Sequence, residues 1–198
     1  MPEPTGLARL FQEYSTLAGQ DRRRQTADQA RSLQYFHEEM ASSGDGSAPR
    51  ARTIRWVYTV KSVDAFVTSA GHLPRENNRL PKLEIDPREQ ALADWIRYQR
   101  RPASRALHCE YQRRRLECLL GFSWDPLGDQ WDAQFAQFTR FVGEFHRAPR
   151  YRAEDATERT IAAWAAKQRH FLRSGTLPED RVRKLRNLAF GLASKQRK

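Results

Sequence analysis

The residues best equipped for chemistry in this chain are arginines gathered in two runs near the ends of two similar segments. The first run holds Arg113, Arg114 and Arg115, the second Arg181, Arg183, Lys184 and Arg186. Upstream of each lies a second basic group: Arg97, Arg100 and Arg101 before the first, Lys167, Arg169 and His170 before the second. Guanidinium groups stay charged and present a planar fork of donors, so this set points to binding of phosphate or of guanine edges rather than to bond making. The catalytic alternatives are thin. His72 and His146 fall in corresponding loops, one position out of register, but no Ser, Cys or carboxylate recurs beside them. Cys109 and Cys118 are nine apart on one predicted helix, too far for a disulfide, and no CxxC or HxxxH accompanies them. No metal, cofactor or enzymatic activity is expected.

The balance of charge supports a polyanionic partner. The net charge is +11 and the isoelectric point is near 10.2. Residues 1–50 carry six basic and seven acidic residues, residues 51–124 fourteen and eight, and residues 125–198 fifteen and nine. The excess therefore belongs equally to the second and third segments. Such a distribution fits nucleic acid. Arg outnumbers Lys 29 to 6, a bias that base composition of a genome also produces without function.

An internal repeat positions these groups. W-x9-F-V-x6-P-R occurs from Trp56 to Arg75 and again from Trp131 to Arg150, at an offset of 75. At an offset of 69, Glu89, Leu92, Trp95, Gln99 and Arg100 align with Glu158, Ile161, Trp164, Gln168 and Arg169, and Leu116 and Leu119 align with Leu185 and Leu188. Apolar residues recur at helical spacing throughout, and no segment alternates with period two. The fold class is all-α: two tandem three-helix bundle repeats, residues 51–124 and 125–198, preceded by an N-terminal helical segment and linker, residues 1–50.

Within the front segment, Leu7, Leu10, Phe11, Tyr14 and Leu17 predict a helix over 6–18, and Ala27, Ala30, Leu33 and Phe36 one over 21–40. In repeat one the helices are predicted from about Thr53 to Gly71, from Pro87 to about Arg101, and over 105–120 with Ser104 as cap and Leu107 on the apolar side. In repeat two they run over 129–145, 155–173 and 178–192. Trp56, Trp95, Trp131 and Trp164 sit on apolar faces, which puts them in the core rather than on a stacking platform. For the recurring Gln-Arg pairs two readings stand: a shared phosphate or base contact, or an Arg packed on a Trp and paired with an acid. The KQRK tail, 195–198, reads as a basic arm.

AGHLPRE (70–76), LADWIRYQRR (92–101) and RRLECLLGFSWDP (114–126) in repeat one, with FHRAPR (145–150), IAAWAAKQRHFLRSGTL (161–177) and VRKLRNLAF (182–190) in repeat two, resemble the bacterial helicase-associated domain. Repeat one departs in its expanded loop, repeat two in lacking the final Trp after Phe190. No G-x4-G-K-[ST] occurs, so there is no helicase motor in the sequence. The resemblance implies an accessory module that binds nucleic acid. A three-helix unit reading duplex DNA lays its last helix in the major groove, so each third helix is the expected contact surface. The alternatives are a protein partner or homodimer through residues 6–40, and RNA. The start, MPEPTGLARLFQEY, lacks the features of a signal peptide, and no apolar run reaches the length of a membrane span; a cytoplasmic, nucleoid-associated protein is expected.

Overall fold

The computed structural model describes residues 6–41, 52–75 and 86–187. These form helices and no strands, in two compact units, Met1–Trp124 and Asp125–Lys198.

The first unit contains α1 (Gly6–Ala18), a short 3-10 turn at Arg22–Arg24, α2 (Ala27–Ala41), α3 (Arg52–Ala70), α4 (Pro87–Arg100), α5 (Pro102–Ala106) and α6 (Glu110–Glu117). α4 begins as its sequence dictates: Asp86 accepts from the Arg88 N–H at 2.8 Å, and Pro87 occupies a first-turn position that needs no donor. α3 ends at Gly71, whose φ of 73° is a left-handed conformation that glycine adopts without strain.

The front helices and repeat one share one core. Leu10, Tyr14, Leu33 and Phe36 are buried in the same cluster as Val57, Val60, Ile96, Tyr111 and Leu116. Tyr111 receives Tyr14 edge-on at 4.8 Å and Phe36 at 5.9 Å. α2 lies against both α3 and α6, and α1 against α2 and α6. The apolar stripes offered by residues 6–40 are thus filled from within the unit. A three-helix unit of this size has little volume to bury, and two extra helices enlarge it. On α2 the buried face is Ser32, Leu33, Tyr35, Phe36 and Glu39, while the expected members Ala27 and Ala30 are exposed.

The continuous helix predicted over 105–120 is instead two pieces. α5 stops after five residues, Cys109 turns extended (ψ 168°), and α6 starts anew with the Cys109 N–H donating to Gln112 Oε1 at 3.3 Å. The break turns the His108 ring inward, so that its Nε2 lies 2.8 Å from Gln99 Oε1. Leu107, expected in the core, is 57% exposed, and Ser104 lies buried inside α5 rather than at a cap.

The second unit contains α7 (Pro126–Phe145), α8 (Ala156–Ser174) and α9 (Glu179–Arg186). Asp125 caps α7 through the Gly128 N–H at 2.9 Å, and Asp155 caps α8 through the N–H groups of Thr157 and Glu158. The core is Trp131, Phe138, Phe141, Val142, Ile161, Ala165 and Leu185, with Phe135, Trp164 and Leu177 packed against it. Leu188, Phe190 and the basic tail lie outside the described residues. Among the described residues no helix is long and apolar enough to cross a membrane.

Candidate nucleic-acid interface

Two interactions recur at matched positions and show what the repeated residues are for. The Trp56 indole N–H donates to Gln99 Oε1 at 3.1 Å, and that of Trp131 to Gln168 Oε1 at 2.9 Å. An indole N–H is a donor only, and both are buried with their glutamines, so each Gln satisfies a group that the core would otherwise strand. The Arg75 backbone N–H donates to Glu89 Oε1 at 2.9 Å, and that of Arg150 to Glu158 Oε1 at 2.7 Å. Each Glu ties the loop after the first helix of its repeat to the start of the second. The recurring Gln is therefore an element of the fold.

The arginines that follow these glutamines differ. Arg100 is half-buried; its Nε donates to the Ser123 carbonyl at 2.7 Å and its guanidinium lies over Phe122. Arg169 is exposed. The two histidines differ as well. His146 sits where Gly71 does at the offset of 75, in the left-handed region with φ 49°, whereas His72 touches the Phe66 ring.

The third helices diverge most. α6 and α9 each have eight residues, but α6 buries Tyr111, Gln112, Arg115 and Leu116, and α9 buries only Leu185. The reason is α1 and α2, which lie on α6. Arg115 was expected on the surface and is not there: it is 1% exposed, with Nε donating to Glu39 Oε1 at 2.8 Å and Nη2 paired with Asp64. Tyr111 Oη donates to the same Glu39 at 2.9 Å. Burial, outweighed by these two acids, leaves the Arg115 pKa raised. Its place on the apolar stripe was readable in the sequence, four residues after Tyr111 and four before Leu119. Arg114 pairs with Glu13 of α1, and Arg113 with Glu110 at 2.6 Å and with the His108 carbonyl at 3.2 Å. The acids that neutralise α6 come largely from the front segment and α3, not from α6 itself.

Of the remaining candidates in the first unit, Arg97 pairs with Asp94 at 2.6 Å and Arg101 lies over the Tyr98 ring. Arg100 and Arg113 meet at a shallow hollow walled by Trp124, where Arg105 joins them with its guanidinium 4.7 Å from the Trp124 ring centre. Arg105 lies ahead of the α5–α6 break, outside the run that drew attention in the sequence.

In the second unit α9 is held by its inner edge. Leu185 is buried, and Arg181 and Lys184 lie over the Trp131 ring at 4.8 and 5.4 Å. Lys184 also pairs with Asp132 at 2.6 Å. Arg183 and Arg186 are exposed and, among the described residues, have no acid within ion-pair distance. Lys167, Arg169 and His170 of α8 are exposed too, Lys167 resting over the Phe171 ring. At the other end of α8, Glu158 is gripped by Arg147 at 2.5 and 2.9 Å, which with the Arg150 N–H holds its pKa down at about 2.

Residues 128–193 match the family model of the helicase associated domain. The match begins in α7 and takes in α8 and α9, so the matched segment lies in the second unit, whose third helix is the more exposed. No curated protein and no solved structure matches the chain. Among the described residues, no group of three or more His, Cys, Asp or Glu is placed to hold a metal ion.

Proposed function

We propose that the chain binds nucleic acid, duplex DNA foremost, through α9 of its helicase-associated segment. The observation that carries this reading is that Arg183 and Arg186 are exposed and, among the described residues, have no acid within ion-pair distance, on a short helix whose opposite edge is pinned by Leu185 and the Trp131 ring. Exposed guanidinium groups on such a helix suit phosphates and guanine edges. Lys167, Arg169 and His170 extend the cationic surface along α8. In the first unit the corresponding helix is covered and its cations are paired, so its Arg113 and Arg114 serve as secondary contacts at most. No catalytic step belongs to this function.

The test is fluorescence anisotropy of the full chain with labelled duplex, single-stranded DNA and RNA across a salt series of about 50 to 300 mM. Duplex binding that is steep in salt, and weakened by R183A/R186A with unchanged helicity, supports the proposal. Undiminished affinity in that variant removes α9 as the contact surface. Equal binding to all three polymers would make the chain a general polyanion binder instead.

A further inference from the structure

The first unit holds a cavity of about 200 Å³ that opens between α2, α3, α4 and the α5–α6 break. Its inner residues are buried: Trp56, Gln99, His108 and Gln112. On its outer side stand the exposed arginines Arg31, Arg52 and Arg55, none of which has an acid within ion-pair distance among the described residues. Half-buried Trp95 and exposed Tyr98 supply ring surface between the two. This is the opposite of α6, where every cation has found an acid.

The inner end also holds an unanswered acceptor. The donor-only indole of Trp56 fixes which atom of Gln99 faces it as the oxygen. The same oxygen lies 2.8 Å from His108 Nε2, so that nitrogen must carry the proton. Nδ1 then keeps its lone pair, and it is buried with no hydrogen-bond partner among the described residues. Burial, with Arg113, Arg31 and Arg52 nearby, lowers the His108 pKa to about 4, so the ring is neutral at physiological pH. Uncompensated buried acceptors are uncommon, and His108 is one of the residues that line this pocket.

We infer that this pocket takes a single nucleotide, its base against the rings of Trp95 and Tyr98 and its phosphate on Arg31, Arg52 and Arg55. Aromatic faces hold any planar base. Forked guanidinium groups suit a phosphate. A lipid or a cationic ligand meets neither the polar inner end nor the three positive charges. The site uses none of the α9 residues, so it stands or falls apart from the interface proposed above. The nucleotide could arrive free or as an unpaired residue of a nucleic acid.

The experiment titrates the full chain with each of the four deoxynucleoside 5′-monophosphates, read by tryptophan fluorescence and by the ¹⁵N resonances of His108. Saturable quenching with a shift of the His108 resonances is expected for at least one of them. Y98A and R52A/R55A should each weaken it roughly tenfold, since both remove exposed groups that stack on or pair with the ligand. R183A/R186A should leave it unchanged. No saturable quenching with any of the four overturns the proposal, as does quenching indifferent to both pocket variants, or displacement by inorganic phosphate as effective as by the nucleotide. A duplex with one unpaired base, compared with an abasic site at that position, then distinguishes the sources. Tighter binding of the unpaired base points to a residue within a polymer, and no preference to a free nucleotide; either supports the site.

Discussion

Arg115 and Glu39 face one another in the core of the first unit, 76 residues apart in sequence, with Nε donating to Oε1 at 2.8 Å and both side chains at most 3% exposed. Asp64 and Tyr111 complete the cluster. A run of three arginines thus has one member that anchors its helix to α2 and α3 while its neighbours point outward, as the 100° step of a helix requires.

Removing the anchor leaves Glu39 buried without its guanidinium partner. R115A is expected to destabilise the protein by about 3–5 kcal/mol, read as a lower urea midpoint by circular dichroism. R183A, on an exposed face, should fall within about 0.5 kcal/mol of the parent. Equal midpoints for the two variants would contradict the buried pair. It follows that alanine replacement of all three arginines at once is a poor test of DNA contact, because it damages the fold.

Trp56 and Trp131 depend on a single acceptor each. Q168L strands the Trp131 N–H and should cost about 1–3 kcal/mol. Q99L strands two donors, Trp56 and His108, and should cost more. Thermal unfolding of the two variants checks the order; a smaller loss for Q99L would mean that His108 does not rely on that oxygen.

His108 makes stability depend on pH in a defined window. Its pKa falls from an ordinary 6.5 to about 4 in the fold, chiefly because it is buried, with Arg113, Arg31 and Arg52 adding repulsion. The unfolded chain therefore takes up the proton first. The contribution is complete above 6.5 and is lost as pH falls through about 4. Glu158, also depressed, gives a separate loss between 4.5 and about 2. Unfolding midpoints measured down this range should decline in two stages, and H108F should flatten the first without altering the second.

His146 holds a left-handed backbone at φ 49° where the first repeat has glycine. H146G should raise stability by about 1 kcal/mol, because it removes the Cβ crowding of that conformation and gives back part of the gain as unfolded-chain freedom. A lower melting temperature would show that the histidine ring contributes more than its backbone costs.

The salt response separates the third helices. R183A/R186A should lower the slope of log affinity against log salt by about two, whereas R113A/R114A, whose charges already have partners, should lower it by less than one. Equal slopes would place both helices on the polymer.

Helix positions were legible because their signals are local. Asp86-Pro87 and Asp155 announced α4 and α8, and the Trp and Phe spacing announced α3 and α7. The matched Gln99 and Gln168 were visible as a repeat, but their role needed the indole on another helix. The fate of the arginines was hidden for the same reason: Glu13, Glu39 and Asp64 lie far from α6 in sequence and reach it only through packing. The α5–α6 break carries no Gly or Pro at Leu107–Cys109, so periodicity ran straight across it.

The cover that α1 and α2 place over α6 has a consequence for target size. A tandem reader with both last helices bare would span two half-sites, and its grip would change with the spacing between them. With one last helix roofed over, the chain's footprint on a duplex would be that of one module, and lengthening the target beyond it would add nothing but further places to land.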